Sequence, residues 1–156
     1  MPHKLLRFVH LLLVSLVVGT MFGIWIGNNP RYLSAAAYVE GQQRTIEALG
    51  TAMPILGAVA IALTLVLAVL ERGRRPIFHL LASAAALLLI AGLVTFFQHR
   101  PMNAQIMGWR AQAAPADWAQ VRDAWWMWHG VRTVSGLAAL CLVLGATLAE
   151  RRPGQA

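Results

Sequence analysis

Four long apolar runs decide what this chain can fold into. They cover about 5–27, 53–70, 77–97 and 131–149. A bilayer core takes roughly 20 consecutive apolar residues of helix, so each run reads as a transmembrane span. The second run is the shortest, and Pro54 fits its first turn, where a missing N–H costs little. The first run is too long for the h-region of a cleaved signal peptide, which takes about 7–15 residues. The predicted fold is all-α: one membrane domain over residues 1–156, a four-helix bundle. Short extra helices are expected in the two outer connections, 28–52 and 98–130. Only 12% of the residues are charged, against about a quarter in a soluble domain.

The charge that remains lies between the spans. There are 13 basic and 6 acidic residues, giving a formal net charge of +7. A nucleic-acid binder gathers such charge on a polar surface, and no such surface exists here, so nucleic acid is excluded as a partner. The basic residues instead set membrane orientation. Lys4 and Arg7, the turn with Arg72, Arg74 and Arg75, and the terminal Arg151 and Arg152 all fall on one side. That side is expected to be cytoplasmic, with both termini inside, in a multi-pass protein of the cell inner membrane. Arg31, Arg44, Arg100, Arg110 and Arg122 lie in the outer connections and reduce the bias. The single cysteine, Cys141, excludes an internal disulfide and is expected to be a small core residue. Gly19, Gly23 and Gly27 recur at intervals of four, a stripe that suits a packing seam between helices or a cavity wall.

The outer connections carry the polar chemistry. In the first, Asn28-Asn29-Pro30 favours a turn. Residues 35–49 then read as a helix that lies along the interface or caps the bundle, with Tyr38, Gln42, Gln43 and Glu47 among apolar positions. In the second, Pro101 disfavours helical geometry at Arg100, which predicts the end of the third span there. Asn103 suits the N-cap of a further helix over 104–112. Beyond Pro115, a last helix is expected to start near Asp117 and run unbroken into the fourth span.

That last helix carries Trp118, Arg122, Trp125, His129, Arg132 and Gly136, spaced four, three, four, three and four apart and therefore on one face. Interfacial Trp belts and snorkelling Arg explain Trp118, Trp126 and Trp128. They do not explain Arg132, which sits among Val131, Val134 and Leu137. Ionisable groups inside a membrane generally face the bundle interior and mark a site. His10 and His79 lie near one end of the spans, His99 and His129 near the other. Either pair would serve as axial ligands of a haem. No close ligand spacing such as HxxxH or HExxH occurs, and a metal site is not expected.

Taken together, Thr95, His99-Arg100-Pro101-Met102-Asn103, Trp109, Pro115-Ala116-Asp117-Trp118, Arg122, Trp125, His129 and Arg132 resemble a pattern in one family. It is the family of small four-helix membrane proteins that includes the fungal anthrone oxygenases. Gly19, Gly23 and Asn29-Pro30 extend the likeness weakly into the first span, and the family pattern often has Asn where this chain has His99. The resemblance implies oxidation of a lipophilic aromatic ketone by molecular oxygen, without a tightly bound cofactor. An anthrone has an acidic CH beside its carbonyl. His129 would then be the general base, and Arg132 and Arg122 would stabilise the enolate. Asn103 would hold the carbonyl or cap its helix. Trp109, Trp125, Trp118, His99 and Thr95 would line the substrate. Two other classes remain open. One is a membrane redox protein binding haem or quinone. The other is a non-enzymatic accessory subunit, whose stripe contacts a membrane complex or a second copy.

Overall fold

The computed structural model describes residues 2–149, which are helical almost throughout. Arg151 and Arg152, part of the orientation argument, lie outside the described residues. Helix α1 (Pro2–Gly27) leads through a 3₁₀ turn at Pro30–Tyr32 into α2 (Ala35–Leu49). Helices α3 (Ala52–Leu70) and α4 (Arg75–Val94) follow. A π turn at Thr95–His99 joins α4 to α5 (Arg100–Met107), and α6 (Trp118–Ala149) closes the chain. Four helices are long and apolar enough to cross a membrane: α1, α3, α6 and the continuous α4–α5 segment. The boundaries of α2 match the sequence reading, because Ser34 caps it through Oγ, accepting from the Ala37 N–H. The unbroken last helix is also as expected, spanning 32 residues.

The bundle runs α1–α3–α4–α6 in a ring, with α4 and α6 forming the longest seam. Neighbours are antiparallel, as the paired ends show. Arg7 near the start of α1 meets Glu71 at the end of α3, and Thr95 at the end of α4 meets Arg132 in the first half of α6. Three tiers of buried side chains fill the interior. Val14, Val18, Leu88 and Val143 centre the middle tier; Leu67, Leu81 and Ala146 form the tier beside Glu71. At the opposite end Tyr38, Val39, Ile106 and Trp125 join the cap made by α2 and α5 to the bundle. Many large apolar side chains face outward, among them Phe8, Leu16, Ile26, Ile55, Val69 and Leu148. A soluble monomer rarely exposes so continuous an apolar surface, whereas lipid requires it. Several hydroxyls in the spans, Thr64, Thr133 and Ser135 among them, bond back to the carbonyl four residues earlier, which satisfies them in an apolar medium.

The two ends handle charge differently. At the α3–α4 turn, the buried carboxylate of Glu71 takes Arg7 at 2.6 Å, Arg74 at 3.3 Å and His3 at 3.4 Å. Deeper, His10 is buried and its Nε2 lies 2.8 Å from Thr64 Oγ1. His79 is exposed on α4, edge-on to Phe78.

Four local expectations are corrected. The third span does not end at Arg100. Pro101 lacks an N–H and its ring crowds the preceding turn, and the chain accommodates it by widening into the π turn, in which the Arg100 N–H bonds Thr95 O. Asn103 accordingly lies inside α5 and is not an N-cap, and the helix expected over 104–112 stops at Met107. Gly19, Gly23 and Gly27 are exposed, and a Cβ on any of them would meet nothing within 4 Å. Their stripe lies on the outside of the bundle, where it forms no internal seam and no cavity wall. Cys141 is exposed on the outer side of α6 instead of lying in the core.

The glycine that packs is Gly136, the last member of the α6 stripe. A Cβ there would sit 2.6 Å from Met21 Cε and 3.4 Å from Val18 Cγ2, so its absence sets how closely α6 approaches α1. Gly136→Val is predicted to lower stability by about 1–3 kcal/mol through overpacking, seen as a lower detergent melting temperature. An unchanged melting temperature would show that the α1–α6 seam has slack.

Candidate functional site

A cavity of about 310 Å³ opens between α1, α3 and α4, with α2 and the α6 stripe closing it at the cap end. Its walls are mainly apolar: Val14, Val17, Ile24, Ile46, Ile61 and Leu88 are typical. Of the residues singled out in the sequence, Thr95, Asn103, Trp125 and Arg132 reach it. The volume suits one small rigid molecule, and a few polar groups in an apolar wall are the usual makeup of a ligand site.

Arg132 is the central group. It sits two turns inside α6 from Trp125, and its long side chain reaches back to the cavity. Its Nε donates to His129 Nδ1 at 3.1 Å, and its Nη1 lies 3.4 Å from Thr95 Oγ1. The guanidinium carbon is 5.9 Å from the Trp125 ring centroid. Among the described residues no carboxylate pairs with it. Three neutral partners thus hold a cation whose charge nothing nearby neutralises.

His129 stands behind Arg132. It is fully buried and does not line the cavity. Its Nε2 donates to Met21 O at 3.1 Å, which leaves Nδ1 to accept from Arg132 and fixes the tautomer. Trp125 stacks on the ring at 5.0 Å and Trp126 at 5.7 Å, and its own carbonyl takes the Thr133 hydroxyl. The imidazole's one lone pair is therefore occupied, which leaves none to accept a proton from a ligand.

The π turn explains the place of Thr95 and His99. Its extra residue per turn rotates the helix so that both residues meet α6: Thr95 faces Arg132, and His99 lies edge-on against Trp125 at 5.0 Å. Such turns are frequent at functional sites. His99 is buried behind Trp125 and does not line the cavity. Its ring nitrogens close no side-chain hydrogen bond, and the backbone of Val94 and Trp125 lies beside them. The His99 and His129 centroids are 6.3 Å apart. Since His129 has already given its lone pair to Arg132, this pair does not fit two axial haem ligands. Asn103 Oδ1 accepts from Trp125 Nε1 at 2.9 Å, which locks the indole as cavity wall and leaves the amide NH₂ for a ligand.

Other expected residues lie elsewhere. Arg122 pairs with Asp123 at 2.9 Å and stacks over Trp118 at 4.9 Å. Trp118 in turn packs on Tyr38, and Trp109 packs in the same cap and offers its carbonyl to Gln43 Nε2. These three residues build the cap and do not reach the cavity. Burial raises the Tyr38 phenol above its ordinary value, so it is a neutral hydroxyl at working pH. The cavity also draws on residues the sequence reading left out of the site: Gln42 and Thr45 of α2, Met21 of α1, and Arg100, which lies over Phe96 at 5.2 Å. The polar positions of α2 were the one available signal for Gln42.

Among known proteins, the family model described as anthrone oxygenase matches residues 43–142, from the middle of α2 to the last third of α6. That stretch contains Thr95, His99, Asn103, Trp125, His129 and Arg132. No curated protein and no solved structure matches the chain. A match over this much of the chain places it: the protein belongs to the anthrone oxygenase family.

Proposed function

We propose that this protein is a membrane-embedded oxygenase that oxidises a flat, lipophilic, enolisable aromatic ketone with molecular oxygen. The observation that carries the reading is Arg132, a cation with no carboxylate partner among the described residues, on the wall of an apolar cavity of about 310 Å³. Such a group stabilises negative charge that develops on a ligand oxygen, and an apolar, water-poor setting strengthens the effect. The ketone oxygen would lie against the guanidinium and the Asn103 amide, with the rings against Trp125.

Ionisation of the CH then gives an enolate held by Arg132, and the proton passes to water at the cavity mouth. The enolate is its own reductant. It gives one electron to O₂, and the resulting radical and superoxide combine to form a C–O bond. The peroxide takes up a proton. Loss of the second CH hydrogen with cleavage of the O–O bond releases water and leaves a new carbonyl. The balance is one CH₂ and one O₂ to one C=O and one H₂O.

In this scheme Arg132 is the catalytic residue. His129, read from the sequence as the base, becomes a positioning residue that aims the guanidinium. Arg122 has no part in the reaction. The basic end that carries Glu71 is taken to be cytoplasmic, which puts the cavity near the opposite face of the inner membrane.

Oxygen uptake with anthrone tests the reading. Arg132→Leu is expected to lose about 10²–10³-fold in kcat, the usual cost of removing an oxyanion-stabilising donor. Full activity in that variant would end the assignment. His129→Ala is expected to lower kcat while keeping the wild-type pH profile. A general base would be revealed by loss of the rising limb of that profile in the variant.

A further inference from the structure

The cavity holds a second polar group that the proposed chemistry does not use. Gln42 of α2 lines it, and the Gln42 Nε2 amide is buried without a hydrogen-bond partner. The neighbouring residue accounts for how firmly it is placed. Gln43 Nε2 donates to Ile106 O at 2.9 Å and to Trp109 O at 3.0 Å, which pins α2 to α5 and the loop after it. Tyr38 and Val39, one turn earlier, are buried in the cap. Gln42 is thus presented by a fixed element, half-buried, with its Nε2 turned in from solvent.

The hydroxyls on the wall are already committed as donors. Thr45 Oγ1 bonds Gly41 O, Thr20 bonds Leu16 O and Thr95 bonds Ala91 O. Gln42 therefore differs from them in having a donor to spare. A buried donor left unpaired is costly, and a ligand acceptor removes that cost.

We propose that Gln42 is a specificity-determining residue: it donates to a second oxygen of the substrate, distinct from the ketone oxygen held at Arg132. Sites that hydrogen-bond a substrate oxygen discriminate strongly against analogues that lack it. The proposal rests on the reading of the cavity as a ketone site.

The test is anaerobic binding, read by tryptophan quenching in detergent, with anthrone and 2-hydroxyanthrone as probes. Wild-type protein is expected to bind the hydroxylated ligand about tenfold more tightly, equivalent to about 1.4 kcal/mol. Gln42→Met, close in volume, is expected to bring the two affinities within about twofold while the anthrone Kd stays unchanged. That unchanged Kd also reports an intact cavity. Equal wild-type affinities, or a preference that survives in Gln42→Met, would overturn the role of Gln42 and leave the ketone site standing. A Gln42→Met variant that weakens both ligands equally would also overturn it. Failure of wild-type protein to bind either probe would overturn both.

Discussion

The hydrogen bond from Arg132 Nε to His129 Nδ1 organises the cavity end of the bundle. An ionised side chain inside a membrane is costly, and it persists where the protein supplies partners. Here the partners are neutral: an imidazole, a threonine hydroxyl and an indole face. Each depends on a different helix contact. His129 is anchored on α1 through Met21 O, Thr95 is turned inward by the π turn of the third span, and Trp125 is held by Asn103 of α5. The guanidinium therefore gathers constraints from α1, the α4–α5 segment and α6. None of these interactions cancels its charge.

The opposite end shows what full compensation looks like. Glu71 there collects Arg7, Arg74 and His3, and acts as a clasp between the first helix and the α3–α4 turn. A buried ion pair of this kind holds a register more than it adds net stability. The contrast assigns the ends their tasks. One is closed electrostatically and has little internal space. The other leaves a cation exposed to a cavity and covers it with α2, a helix cut off from the spans by turns on both sides. The outward Phe, Leu, Ile and Val side chains of the four spans put this cavity beside lipid, a natural source of a lipophilic ligand.

Much of this was legible in the sequence, because length and hydropathy fix spans and helical periodicity fixes faces. The four spans, the ends of α2 and the unbroken α6 followed from those two rules. So did the shared face of Trp125, His129, Arg132 and Gly136, which does turn inward. Periodicity does not say where along that face the bundle gives way to the cap, so it cannot separate Trp118 and Arg122, which build the cap, from Trp125 and Arg132, which reach the cavity. It also could not show what each nitrogen of His129 bonds, which depends on a carbonyl 108 residues away. Pro101 reads as a stop because proline usually is one; the π turn that accommodates it is a response of the whole segment. The glycine stripe of α1 and Cys141 illustrate the same limit. Spacing gives a face, and only packing says which way that face looks.

The most direct measurement is the enolisation of anthrone bound to the protein without oxygen, followed by its ultraviolet-visible spectrum against pH. If Arg132 is an unneutralised cation at the ketone oxygen, bound anthrone ionises at a pH lower by about one or more than in empty detergent micelles, equivalent to about 1.4 kcal/mol. Arg132→Leu should return it to the micelle value. Bound anthrone that ionises at the same pH in wild-type protein, in the variant and in micelles would contradict the account.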